Sequence, residues 1–184
     1  MTRRRLQLAA AVVFAFGLAA ASIALASGGD KGHGKRGNGQ FRANLTGFQE
    51  TPALNTNGHG RLRLSMTNTE ITFQLDYADL SGPPLVAHIH VGQRSVAGGV
   101  SVFFCGGGGK PVCPASTSGA ISGTITAANV IGPTAQGYDP GDLVAVEKAI
   151  RAGVAYANMH TTKFPGGEIR GQIKRGHGEG HAHN

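Results

Sequence analysis

Hydrophobic and polar residues alternate with a period of two along much of the middle of the chain. Phe41, Ala43 and Leu45 alternate with Arg42, Asn44 and Thr46. Leu62, Leu64 and Met66 alternate with Arg61, Arg63 and Ser65, and Ile71, Phe73, Leu75 and Tyr77 with Thr72, Gln74 and Asp76. Each run has one oily and one wet face, as an antiparallel strand over a core requires. The stretch 66–71 reads as a tight connection between two of them. Residues 85–91, 100–104, 119–127, 154–161 and 168–173 supply five more candidates. Eight short strands with glycine and proline turns predict an all-β fold, an antiparallel, Greek-key-like β-sandwich or barrel. One segment departs from the pattern. Leu143, Val146, Ala149 and Ile150 recur at helical spacing, with Asp142 placed as N-cap and Gly153 as stop. They predict one short helix over 142–152, crossing an end of the strands.

The two ends lack this alternation. Arg3, Arg4 and Arg5 precede an alanine- and valine-rich run over 6–25, which closes at Ala24-Leu25-Ala26 with the small residues that signal peptidase reads. That order predicts a secretory signal peptide over 1–26; the alternative is an uncleaved single-pass anchor. Residues 27–39 are glycine-rich and can bury no face, so they read as a flexible linker. Residues 175–184, with His177, His181 and His183, read as a disordered tail, a solvated spacer. The structured domain is expected over 40–174. Composition then narrows the class. The 30 glycines among 184 residues follow no three-residue period, which excludes collagen, and a 40% hydrophobic share argues against wholesale disorder. Of the formal +7, three charges belong to the signal, so 14 − 10 leaves +4. No basic helix interleaved with aromatics is present, and no nucleic-acid partner is expected. The expected location is periplasmic, cell-surface or extracellular, with the membrane met only in transit through the signal peptide.

Export changes how the cysteines read. Cys105 and Cys113 bracket Gly-Gly-Gly-Gly-Lys-Pro-Val. In an oxidising compartment they predict a disulfide, worth about 2–3 kcal/mol by loop closure; a reactive or metal-binding thiol pair is the alternative. No Ser or Thr follows the Gly-Lys, so a phosphate loop is excluded. His88 and His90 stand two apart on one strand and share a face, and His160 follows on a later strand in a similar setting. Three converging neutral imidazoles would suit copper or zinc; otherwise they cap a polar network that serves the fold alone. His59 is expected to be exposed in a turn. Glu168 and Arg170 flank Ile169 and share a face, as a structural pair or an anion contact. No Gly-x-Ser-x-Gly elbow or classical catalytic set assembles, which favours a non-enzymatic role.

Leu-Ser-Gly-Pro-Pro-Leu-Val-Ala-His-Ile-His-Val-Gly over 80–92 resembles the central motif of the CHRD domain, the module named from chordin. Residues 153–161 and 164–173 resemble its closing motif, 45–52 its opening and 119–125 its middle. Two departures are the glycine insertion between Cys105 and Cys113 and His59, where a small residue is expected. The resemblance implies an exported single-domain binding or structural module whose partner is an extracytoplasmic protein or envelope component. A weaker resemblance links His88-Ile-His90, His160 and Glu168-Ile-Arg170 to the copper-site strands of Cu/Zn superoxide dismutase, a Greek-key β-sandwich. It implies copper or zinc as cofactor, His88, His90 and His160 as ligands, and Arg170 as an anion-steering residue. No further histidine lies between His90 and His160 and no zinc loop is evident, so dismutase-like redox turnover is the least favoured form.

Overall fold

In the computed structural model the described residues are 39–176. The expected signal peptide, nearly all of the linker (27–38) and the tail beyond Gly176 lie outside them. Nine strands form: β1 (Gly39–Thr46), β2 (His59–Met66), β3 (Ile71–Ala78), β4 (Pro84–Val91), β5 (Gly99–Cys105), β6 (Gly119–Ile125), β7 (Ala155–Thr161), β8 (Ile169–Gln172) and β9 (Lys174–Arg175). The helix α1 (Leu143–Ala152) precedes β7. The eight strands read from the alternation are all present. The ninth, a two-residue strand against β1, carries pairing past residue 174, since its register with Phe41 and Arg42 is set by backbone partners and not by apolar spacing. The sixth strand ends at Ile125, where a 3-10 turn over Ala127–Asn129 takes over.

The hydrogen-bonded order is β5-β4-β7-β8-β1-β2-β3-β6, and neighbouring strands run antiparallel. The β3–β4 and β6–β7 connections each pass over two strands, which makes the Greek-key crossings. The two end strands come back toward each other and nearly close a barrel. Across that seam the rings of Phe73 and Phe104 are 4.6 Å apart, and the Lys110 ammonium donates to the Thr124 carbonyl at 2.8 Å. Inside lie the oily positions of every run, among them Leu45, Leu62, Leu64, Met66, Ile71, Leu75, Ile89, Ile125, Met159 and Ile169.

Helix α1 starts and stops as its sequence dictates. The Asp142 carboxylate accepts from the Ala145 N–H at 2.9 Å, and Gly153 ends the helix at φ 73°. Leu143, Val146, Ala149 and Ile150 face the core. Cys105 and Cys113 form a disulfide, and the loop it closes lays Gly107 and Gly108 against the Phe103 ring.

The barrel has two unlike walls. In β1, β2 and β3 the inward side chains are buried and most outward ones are exposed. In β7 and β8 nearly every residue is buried on both faces. The outward, polar face of this second wall is roofed by the β1–β2, β4–β5 and β7–β8 connections, and the roof covers the candidate site.

Candidate metal centre

Register brings the three histidines together. Within β4, Ala87, Ile89 and Val91 point into the barrel, which turns His88 and His90 outward. In the β4–β7 ladder His88 lies opposite Asn158, His90 opposite Tyr156, and Val86 opposite His160. The three imidazoles therefore occupy neighbouring rungs on one face. On the other side of β4, the pairing with β5 shifts twice, between Ala87 and His88 and between Ile89 and His90. Such bulges commonly re-aim side chains at functional sites; here they set Phe103 opposite His88, edge-on at 5.3 Å.

One ring nitrogen from each of His88, His90 and His160 lies within 4.8 Å of the others. Three nitrogens bound to one ion at about 2 Å would lie about 3–4 Å apart, so small side-chain rotations bring the set to bonding distance. The hydrogen bonds already in place select the tautomers. His90 donates from Nδ1 to the Gly98 carbonyl and His160 from Nδ1 to the Pro165 carbonyl, both at 2.8 Å. Each therefore keeps a bare Nε2, and these two atoms and His88 Nδ1 are buried with no hydrogen-bond partner. A backbone carbonyl that orients a ligating imidazole is the usual outer support of a metal site. A group that serves only the fold would be expected to have its buried nitrogens paired.

The electrostatics keep His88 and His90 neutral. Burial depresses His88 to about 3, reinforced by its neighbours His90 and His160. Burial likewise takes His90 to about 4; the Gly98 carbonyl opposes the shift while His160 and Arg170 add to it. Glu50, whose carboxylate accepts from Asn158 at 2.5 Å, is raised by burial to about 7, with Asn158 and Arg170 pulling the other way.

These shifts predict a pH dependence for the metal-free protein. Below pH 6.5 the unfolded chain protonates His88 and His90 while the folded chain does not. Stability is therefore present above 6.5 and is lost as pH falls toward 4. Glu50 acts in the opposite sense between 4.5 and 7, because there the folded state holds the proton; its half-exposed position weakens this share. The sum is a stability maximum near pH 6.5 and a fall of about 1–2 kcal/mol per unit below it. Urea denaturation at stepped pH measures this, and a flat profile from 6.5 to 4.5 contradicts it.

Arg170 and Glu168 do not pair with each other. Arg170 is 3% exposed and lies 3.5 Å over the Tyr156 ring. It donates to the Gln93 and Val96 carbonyls at 3.0 and 2.9 Å and to the Thr51 hydroxyl at 3.3 Å. These bonds pin the β4–β5 connection, whose Gly98 carbonyl in turn orients His90, so Arg170 positions the site through its roof. Gly98 must be glycine there, because a Cβ would collide with the Val91 carbonyl. Glu168, fully buried, accepts from Thr56, Thr161 and the Ser81 N–H. Burial pushes its carboxyl up, but the hydrogen bonds from Thr161, Thr56 and Ser81 outweigh this and hold it below its ordinary value. His59 is exposed as expected, although it begins β2 and does not sit in a turn.

Sequence reasoning missed Tyr156, stacked on His90 at 4.6 Å, and Phe103. Spacing puts Tyr156 and Asn158 on the same face of β7 as His160 but does not mark their burial, whereas Phe103 reaches His88 only through the bulges. Among family models, the CHRD domain matches residues 41–173. No curated protein and no solved structure matches the chain.

Proposed function

The chain belongs to the CHRD domain family, and from that premise we propose that it is an exported, non-enzymatic module that binds copper in its monovalent state. Its partner in this reading is an extracytoplasmic protein or envelope component with which the metal is exchanged. Two observations carry the reading: His88, His90 and His160 each bring a ring nitrogen within 4.8 Å of the others, and each has a buried ring nitrogen with no hydrogen-bond partner. Imidazole suits copper and zinc alike, so charge decides between them. The set contributes no anion, burial raises Glu50 to about 7 so that it is only partly ionised at neutrality, and the Arg170 guanidinium is close enough to lower His90. A single positive charge costs less to bury beside these groups than a double one. Three neutral nitrogens can satisfy Cu(I) alone, whereas zinc would add a water as its fourth ligand.

The test is an anaerobic competition titration with Cu(I) against a chromophoric chelator, with ascorbate as reductant so that the disulfide is left intact. The protein is the full chain with His177, His181 and His183 replaced by alanine, which removes the tail imidazoles. Expected are one ion per chain, affinity tighter than micromolar, and a Tm that rises with copper because the ion binds the folded state; at a hundredfold excess over Kd the gain is about 2.7 kcal/mol. Absence of saturable binding tighter than micromolar defeats the proposal. One-to-one zinc binding tighter than copper leaves the site but overturns the choice of metal.

A further inference from the structure

A concave cleft of about 910 Å³ lies over the outer face of β1 and β2, and none of the three histidines lines it. Arg42, Arg61, Arg63, Arg94 and Lys174 line it, and no carboxylate does. Strand register places these charges. Lys174 on β9 lies opposite Arg42 on β1, which lies opposite Arg63 on β2. Cross-strand partners stand about 4.5–5.5 Å apart, and Arg61 and Arg63, two residues apart, about 6.8 Å. Asp76, opposite Arg61 in the β2–β3 ladder, pairs with Arg63 at 2.8 Å, and among the described residues no ion pair reaches Arg42, Arg61, Arg94 or Lys174. Like charges directly opposite one another weaken a sheet. Asp76 offsets Arg63, so Lys174 and Arg42, with Arg61 and Arg94 beside them, carry the positive field over this concave surface.

We propose that this cleft binds an acidic polysaccharide, a polymer of carboxylated or sulfated sugars. Guanidinium groups take carboxylate and sulfate oxygens in pairs, and a grid of about 5 by 7 Å meets a chain bearing one charge per sugar ring better than a single ion. Gln40 and Gln49 commit their amide N–H groups to Ser65 and the Asn44 carbonyl, which leaves their own carbonyl oxygens to accept from sugar hydroxyls. Single-stranded nucleic acid is held by stacking on aromatic faces, and the one aromatic in the lining, Phe41, is 2% exposed. A lipid surface would ask for apolar anchors, but the exposed large apolar side chains, Phe48 among them, lie outside the lining. The inference does not depend on the metal reading.

The full chain is titrated at low salt with polygalacturonate and with dextran sulfate, alongside oligo(dT) and phosphatidylglycerol vesicles. Expected is binding to at least one polysaccharide that weakens steeply with added salt, and a loss of about tenfold or more in the Arg42→Ser/Arg94→Ser variant at a Tm no lower than the parent's. The proposal is overturned if the double variant binds as tightly as the parent, since the basic N-terminus would then be responsible. It is equally overturned if oligo(dT) or the vesicles bind more tightly than both polysaccharides, or if neither polysaccharide binds.

Discussion

Replacing His88 by leucine is expected to abolish tight copper binding while shifting the stability of the metal-free protein by no more than about 2 kcal/mol. Leucine fills a similar volume, so no large cavity opens. The buried Nδ1 that lacks a partner disappears, which recovers part of a desolvation cost of about 1–3 kcal/mol. Against this stand the lost edge contacts to His90, Phe103 and His160, each worth about 0.5–1.5 kcal/mol by analogy with aromatic pairs. Together these reach about 1.5–4.5 kcal/mol, which the recovered desolvation and the burial of the leucine itself offset, so the net change in urea-unfolding free energy should stay within about 2 kcal/mol. Affinity behaves differently. Loss of an outer-shell partner typically costs 10–100-fold, so loss of a ligand should cost about a hundredfold or more. This split separates the two readings of the histidine cluster. A purely structural His88 would lose stability equally with and without metal, and retained copper affinity within tenfold of the parent would remove it from the ligand set.

The second large effect is expected at Glu168. Its carboxylate receives the Thr56 and Thr161 hydroxyls, both at 2.6 Å, and the Ser81 N–H at 2.8 Å, while the Thr161 hydroxyl also accepts from the Phe164 N–H. One buried side chain thus ties together the β1–β2, β3–β4 and β7–β8 connections and the end of β7. Glu168→Ala leaves these donors without an acceptor, and each buried unsatisfied group costs about 1–3 kcal/mol. A loss of about 3–5 kcal/mol is expected, a large part of the 5–15 kcal/mol typical of a domain. Glu168→Gln keeps the shape and one carbonyl oxygen, and should lose roughly half as much. Chemical denaturation at pH 7 measures both. A cost below 1 kcal/mol for Glu168→Ala would mean that water replaces the carboxylate readily and that the loops hold themselves.

The strands were legible because burial on one side writes itself as alternation. Phe41-Arg42-Ala43-Asn44-Leu45 could hardly be anything else, and Asp142 and Gly153 marked the ends of the helix by cap chemistry alone. The His-x-His pair on β4 was legible as a shared face for the same reason. Several features were not. The outward residues Tyr156, Asn158 and Arg170 look like ordinary polar positions of a solvated strand, yet they are buried because three connections fold over them. The two bulges on the β4–β5 ladder, which bring Phe103 to His88, leave no periodic trace. Glu168 and Arg170 each spend their hydrogen bonds on separate loops instead of on the other.

Eight of the strands, the helix, the cysteine pair and the family could be read directly from the sequence, because each is carried by residues close together along the chain. Only the fold made β4 and β7 neighbours, stood His160 beside His88 and His90, and left one buried nitrogen of each ring without a hydrogen-bond partner. It also decided that Lys174, Arg42 and Arg63 line up across three strands. The physical reason is common to both sites. Alternation records which side of a strand meets the core, whereas pairing depends on backbone hydrogen bonds between segments as far apart as residues 88 and 158. Those bonds are made by groups that every residue carries, so the sequence leaves them unmarked.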